Sequence, residues 1–354
     1  MTISVFKGIR VRGIAAAVPE QRVNNLTAHR FCPEETRRKI VELTGVTEYR
    51  KAPPTMCSSD LCEAAARKLL DDLDVDPATI DAVVFATMTP DYRIPSTACI
   101  LQAKLDCTSE SVAYDINMGC SGFVVGLYNA CALINGAGLK RVLLLAGDTQ
   151  TRLCHEEDKN VVFLMGDGGS ACLVEVEEDR VNAIAAEIFT DGSRFDKLYV
   201  PAGGFRHPSS GSTRRVRQHP DGGMRADDNI YMDGMELFKF SSTDVVKSLR
   251  SFMEHEHLSA ENVDFLILHQ ANKFMTDKIA RKLSFGPEKV PYSLGTFGNT
   301  GSASIPLTIA CEYDRVASSG TSRCLLCGFG VGLSWGIVDI DLGGIYCPPV
   351  IECA

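Results

Sequence analysis

Three short stretches carry residue types that could act together in covalent chemistry: Cys120 in "YDINMGCSGF", His269 in "LHQAN" and Asn299 in "FGNTGSAS". The cysteine follows a short apolar stretch and a glycine, and a longer run of small and apolar residues comes after it. A strand handing over to a helix at this point would leave the thiol among free backbone N–H groups, at the positive end of the helix dipole. A thiolate is favoured there, so Cys120 is expected to have a lowered pKa and to be nucleophilic, unlike a mid-helix thiol such as Cys131. By itself the position suits a structural cysteine equally well. A lone histidine in "LILHQ" is commonly a satisfied core residue, and a lone "GNTGS" is a glycine turn.

The elements that would have to position these residues supply the connection. The runs "DAVVFAT", "SVAYDIN", "RVLLLAGD", "GGSACLVEV", "VDFLILH" and "SRCLLCGF" read as buried strands. Helical patterns lie between them, such as "SSDLCEAAARKLLDDL", opened by Ser and Asp, and "SGFVVGLYNACALINGAG", closed by glycines. The alternation predicts an α/β chain. A weak repeat runs through it, with "DAVVFATMTP" ahead of the Cys120 loop and its long helix, and "DFLILHQANK" ahead of "GNTGSASIP" and its helix. Two similar halves follow, 1–180 and 181–354, joined where "VEVEEDRVNAIAAEIF" turns acidic. Equivalent loops would then bring His269 and Asn299 to Cys120 across a pseudo-twofold axis. There the thiolate would take an acyl group, and two hydrogen-bond donors would stabilise an enolate formed at a second thioester.

Composition bounds the partners. The 354 residues, 45% hydrophobic and 23% charged, are those of an ordinary folded protein. A net charge of −9 and a pI near 5.4 disfavour nucleic acid and anionic membranes, which call for a basic surface. Lys7, Arg10 and Arg12 interrupt the N-terminal apolar residues, no later run is long enough to span a membrane, and the cytoplasm is the expected location. The 14 cysteines are scattered through apolar segments and are expected to be reduced core residues. Cys324 and Cys327, three apart on a strand, should point to opposite faces and clamp no ion, and "HEH" at 255–257 reads as a solvated helix end, so no metal is expected. Residues 204–229, rich in Gly, Pro, Ser and Arg, read as a surface excursion, with a basic cluster of Arg206, Arg214, Arg215 and Arg217 that could meet an acidic carrier or a phosphorylated arm.

"YDINMGCSGF", "DGSRFDKLYVPAGG", "YMDGMELFKF", "LHQAN", "GNTGSASIP" and "GFGVGLSWG" resemble, in order and approximate spacing, β-ketoacyl-[acyl carrier protein] synthase III, a branch of the thiolase superfamily. The resemblance spans nearly the whole chain. It implies a five-layered αβαβα body, usually a homodimer, running a ping-pong decarboxylative condensation in fatty acid biosynthesis. Acyl-coenzyme A and malonyl-acyl carrier protein would be substrates, with no tightly bound cofactor. Cys120 would match the acylated nucleophile, and His269 and Asn299 the pair that binds the malonyl thioester carbonyl. The backbone N–H groups of Cys120 and Val331 would match the oxyanion hole, and Ile94 and Phe329 the acyl pocket. Lys39, Lys159, Lys273 and Phe274 would match positions that contact coenzyme A or the carrier protein.

Departures from the family pattern accompany these matches. Lys39 stands where housekeeping members stack a tryptophan on adenine, and the single tryptophan, Trp335, lies in the C-terminal strand. Phe274 replaces an arginine that contacts carrier or cofactor, leaving Lys273 as a substitute. Ile94 replaces a phenylalanine lent to the acyl pocket by the partner subunit, which would admit a longer chain. All three point away from strict acetyl priming. The alternatives are a specialised-metabolism ketosynthase or acyltransferase with an unusual starter, a thiolase using Cys327 as its second cysteine, and a non-catalytic partner subunit.

Overall fold

The computed structural model describes residues 2–177, 183–317 and 320–354. Its central strands are β1 (Ser4–Phe6), β2 (Ile9–Pro19), β3 (Ala82–Ala86), β4 (Val112–Ile116), β5 (Arg141–Asp148), β6 (Gly168–Val176), β7 (Ile184–Thr190), β8 (Phe265–Leu268), β9 (Arg323–Gly330), β10 (Ser334–Asp341) and β11 (Ile351–Cys353). The principal helices are α1 (Glu34–Thr44), α2 (Ser58–Asp72), α3 (Thr97–Lys104), α4 (Gly122–Ala137), α5 (Gly234–Phe240), α6 (Val246–His255), α7 (Lys273–Lys282) and α8 (Ser304–Cys311).

One sheet runs in the order β11-β2-β6-β5-β3-β4 and the other β1-β7-β10-β9-β8. The two share a pattern of strand sense. From β2, two antiparallel joins lead through β6 to β5, and a parallel join leads to β3. From β7, two antiparallel joins lead through β10 to β9, and a parallel join leads to β8. The expected junction at 180/181 lies outside the described residues.

Burial explains the five αβαβα layers. Helices α2 and α3 pack Leu61, Leu69 and Leu101 on one face of the first sheet, against Phe85 and Leu145. The other face carries Val84 and Leu144, which meet α4 and α8, and beyond these helices lie Leu326 and Val338 of the second sheet. The far face of that sheet holds Leu325 and Ile337 against α6 and α7. Helix α4 is apolar nearly all round because sheets cover it on two sides. Cys324 joins the middle layer and Cys327 the outer one, on opposite faces as their spacing predicts. All fourteen cysteines are unbridged.

The six apolar runs fall on strands, and both helical patterns on helices. Helix α2 is capped by Cys57, whose N–H donates to Asp60 Oδ2 at 2.8 Å, one residue ahead of the expected Ser start. Helix α4 closes on Gly138 in the left-handed region. Strand β2 is not among those runs. Its "GIAAAVP" is poor in β-branched residues, and burial of Ala15, Ala16 and Ala17 in the sheet interior makes it a strand.

Residues 204–229 form a largely exposed excursion with a short ribbon pairing Arg217–Gln218 to Met224–Arg225. Buried Arg225 docks it by meeting Asp158 at 3.3 Å, and pairs within the excursion with Asp221 at 2.7 Å. Arg206, Arg214, Arg215 and Arg217 stay exposed, and Arg217 is engaged by Asp227 at 2.7 Å. Among the described residues no helix is long and apolar enough to cross a membrane.

Candidate active site

Strand β4 ends at Ile116 and α4 opens at Gly122 with Ser121 as N-cap, so Cys120 sits just ahead of the cap. The turn closes through the Gly122 N–H to the Gly119 carbonyl at 2.6 Å. Ser121 Oγ meets Ser334 Oγ at 2.6 Å and ties the helix start to β10. Gly330 is required by close approach, since a Cβ there would lie 2.7 Å from the Cys120 sulfur. The C-terminal glycine loop therefore rests directly on Cys120.

The expected lowering of the thiol pKa is overturned. Burial pushes Cys120 up to about 11, against a backbone hydrogen bond from Val331, with the Asp148 carboxylate pushing the same way as burial and the cysteine's own backbone N–H opposing. The helix terminus does not decide the matter because the thiol is buried, and desolvation of an anion outweighs two neutral donors. The resting group at neutral pH is the thiol.

His269 leaves the end of β8, its N–H bonded to the Cys327 carbonyl at 2.8 Å. The residue is 1% exposed. Nδ1 meets Ser304 Oγ at 2.7 Å, and Nε2 is buried with no hydrogen-bond partner. Burial lowers its pKa to about 3, opposed only by the Gly301 backbone, so the imidazole is neutral at pH 7. Asn299 is fixed through its carbonyl oxygen Oδ1, which accepts the Gly301 N–H at 3.0 Å. The adjoining loop is held by Asp148, wholly buried at the end of β5. Its Oδ2 accepts Ser302 N–H at 2.8 Å and Ser302 Oγ–H at 2.7 Å, and its Oδ1 accepts Met88 N–H at 2.8 Å. One carboxylate thus ties the loop after β3 to the loop after Asn299. Burial raises its pKa to about 6 despite these bonds.

Cys120, His269 and Asn299 line a single cavity of about 390 Å³, together with Phe329, Gly330 and Val331. Phe329 stands edge-on to His269, ring centroids 5.7 Å apart. The cavity continues between apolar Leu198, Ile230, Met232, Leu237 and Phe240. The remaining sequence candidates lie elsewhere. Ile94 is 85% exposed and outside the cavity. Lys39 is on the solvent face of α1, paired with Glu35 at 2.7 Å. Lys159 is exposed, its ammonium beside Gly222 of the 204–229 excursion. Lys273 opens α7, pairs with Asp277 at 2.7 Å and lies over the Tyr292 ring. Phe274, half-exposed, stacks on Phe238 at 5.2 Å.

Two segments match one family in tandem. Residues 114–192 match 3-Oxoacyl-[acyl-carrier-protein (ACP)] synthase III, and residues 253–341 match its C-terminal part. The β-ketoacyl-[acyl-carrier-protein] synthase III of Rhodopirellula baltica is 33% identical over 94% of this chain and 97% of its own length. The chain belongs to the β-ketoacyl-[acyl-carrier-protein] synthase III family. A synthase III of Caldanaerobacter subterraneus is 31% identical over 92% of this chain and 95% of its own. The crystal structure of a 3-oxoacyl-(acyl-carrier protein) synthase from Burkholderia xenovorans matches with a TM-score of 0.93 at 33% identity, covering 99% of each chain.

Several residues around this cavity of the synthase III family member escape sequence reasoning. Ser304 looks like one more small residue in "GSASIP", and Gln150 like a surface residue of "DTQTRL". Asp148 did leave a signal, a carboxylate closing the apolar run "RVLLLAGD". The cavity's far wall comes from "KLYV" and "NIYMDG", distant in sequence and joined by the pairing of Leu198–Tyr199 with Tyr231–Met232 and by the Asp233 N–H on the Lys197 carbonyl at 2.8 Å.

Proposed function

We propose that this synthase III family member acylates Cys120 from an acyl thioester and then condenses that acyl group with a malonyl thioester, with loss of carbon dioxide. The observation that carries the site assignment is His269 Nε2, a buried polar atom with no protein partner in the cavity that Cys120 and Asn299 share. Leaving such a group unpaired costs about 1–3 kcal/mol, and a substrate carbonyl would recover it.

In the first half-reaction the Cys120 sulfur attacks the acyl carbonyl. The new C–S bond forms, the carrier thiolate leaves, and the proton given up by Cys120 goes to that thiolate. The Val331 and Cys120 N–H groups are suited to the oxyanion of the tetrahedral intermediate. In the second, the malonyl C–C bond breaks, carbon dioxide departs, and its electron pair becomes an enolate held by His269 and Asn299. We assign the Ser304 hydroxyl as donor to Nδ1, which leaves the ring proton on Nε2 for this purpose. The enolate carbon attacks the acyl-Cys120 carbonyl, the C–S bond breaks, and Cys120 leaves as a thiolate that takes one proton from water to restore the thiol.

The donor is an acyl-coenzyme A or acyl carrier protein, with an acyl group longer than acetyl, as the apolar walls beyond Cys120 favour. Carrier contact is assigned to the surface residues Lys39, Lys159, Lys273 and Phe274, none of which lines the cavity. The thiolase alternative is disfavoured because Cys327 faces the outer layer and not the cavity. We also propose a homodimer. Tyr92 and Ile94 are exposed, as is Val112 on β4, the strand that ends the first sheet, and an uncovered edge is a template for pairing.

Incubation with acyl-coenzyme A thioesters of increasing length, read by intact mass and peptide mapping, should add one acyl group to Cys120, faster above acetyl. Malonyl-acyl carrier protein should then release carbon dioxide and clear the adduct. No acyl mass with any coenzyme A or carrier-bound donor would sink the assignment.

A further inference from the structure

Gln150 opens the short turn Gln150–Leu153, directly after β5, and is 1% exposed. Its side chain reaches a residue 149 positions away. Nε2 donates to the backbone carbonyl of Asn299 and to that of Gly166, the latter at 3.3 Å, and lies 3.4 Å from Asn299 Oδ1. The Asn299 backbone is itself pinned, its N–H on the Leu164 carbonyl and its carbonyl on the Gly166 N–H, each at 2.8 Å.

Asn299 Oδ1 therefore faces two donors, the Gly301 N–H and the Gln150 amide. An amide side chain has one acceptor end and one donor end. Anchoring the oxygen on the protein side leaves Nδ2, with its two hydrogens, for the cavity. The opposite orientation would set Nδ2 against two donors and offer an oxygen to a developing enolate, which would repel it. The Gly301 contact alone does not hold the backbone carbonyl, whereas the Gln150 amide grips backbone and side chain together.

We propose that Gln150 is a positioning residue for the condensation half-reaction, fixing the backbone and the amide orientation of Asn299 so that its N–H groups meet the malonyl thioester. This role rests on the condensing function proposed above and adds a residue to it. Gln150 belongs to the stretch that follows β5, so a residue from the sheet bearing the nucleophile sets the geometry of the decarboxylating group.

The two half-reactions provide the test. In Gln150→Leu the volume is kept and the donor removed. Loading of Cys120, read by intact mass, should stay within about threefold of wild type. The kcat for carbon dioxide release from malonyl-acyl carrier protein should fall about ten- to a hundredfold, the range expected when a reacting group is misplaced by a fraction of an ångström. Gln150→Glu, which sets a carboxylate oxygen against the Asn299 oxygens, should fall further while still loading. Condensation at wild-type kcat in Gln150→Leu, or an equal loss in both half-reactions, would overturn the role. Asn299→Ala in the same assay separates the levels. If it condenses normally, the condensing role of Asn299 falls and that of Gln150 with it. If it fails while Gln150→Leu is normal, only the Gln150 role falls.

Discussion

Around Cys120 the contacts are backbone and glycine: the Gly119–Gly122 turn, the Val331 N–H, and Gly330 pressed against the sulfur. Around His269 and Asn299 they are oriented hydrogen bonds, Ser304 on Nδ1, the Gly301 N–H and Gln150 on Asn299, and Asp148 on Ser302. The contrast follows from what each group must present. A sulfur is nearly isotropic, so it needs access and nearby N–H donors. An imidazole and an amide each have a right and a wrong face, and each must be locked by a partner that reads the difference.

The contrast can be broken most severely at the sulfur. Cys120→Ser should show no acyl mass and no product, and detectable turnover would remove the covalent intermediate. On the other side, His269→Ala and Asn299→Ala should each load Cys120 but lose about a hundred- to a thousandfold in carbon dioxide release. If either variant lost loading instead, the division of labour would be wrong. A smaller effect is expected from Gly330→Ala, whose methyl overlaps the Cys120 side chain. It should cost about 1–3 kcal/mol of stability by denaturant titration and slow loading more than decarboxylation. The mildest test is pH. With burial holding the thiol at about 11, the thiolate fraction grows about tenfold with each unit of rising pH until that value is neared, so alkylation mapped to Cys120 should rise about tenfold per unit from pH 7 to 9. A plateau near pH 7 would mean that the backbone donors outweigh burial after all.

Much of this arrangement is legible in the chain. "RVLLLAGD" and "GGSACLVEV" coincide with β5 and β6 because both runs are buried on two faces, and such strands need no alternation. "SGFVVGLYNACALINGAG" is a helix between two sheets for the same reason. Cys120, His269 and Asn299 stand out because each is a reactive group placed at a strand end or a glycine turn. What is not legible is polar and long-range. Gln150 and Ser304 acquire meaning only from atoms that arrive from elsewhere in the chain, and no local pattern marks them. The pKa of Cys120 is misread from local structure for a related reason, since the helix terminus is a local feature and burial is a global one.

By itself the sequence determined the α/β alternation and marked Cys120, His269 and Asn299 as candidates, because both readings depend on hydrophobic periodicity and residue chemistry along a few consecutive positions. Only the tertiary structure decided that Cys120 rests as a thiol, that His269 is neutral with Nε2 free, and that Asn299 is gripped by Gln150. Those properties depend on water exclusion and on hydrogen-bond partners many residues apart, which exist only after the layers have closed around one cavity.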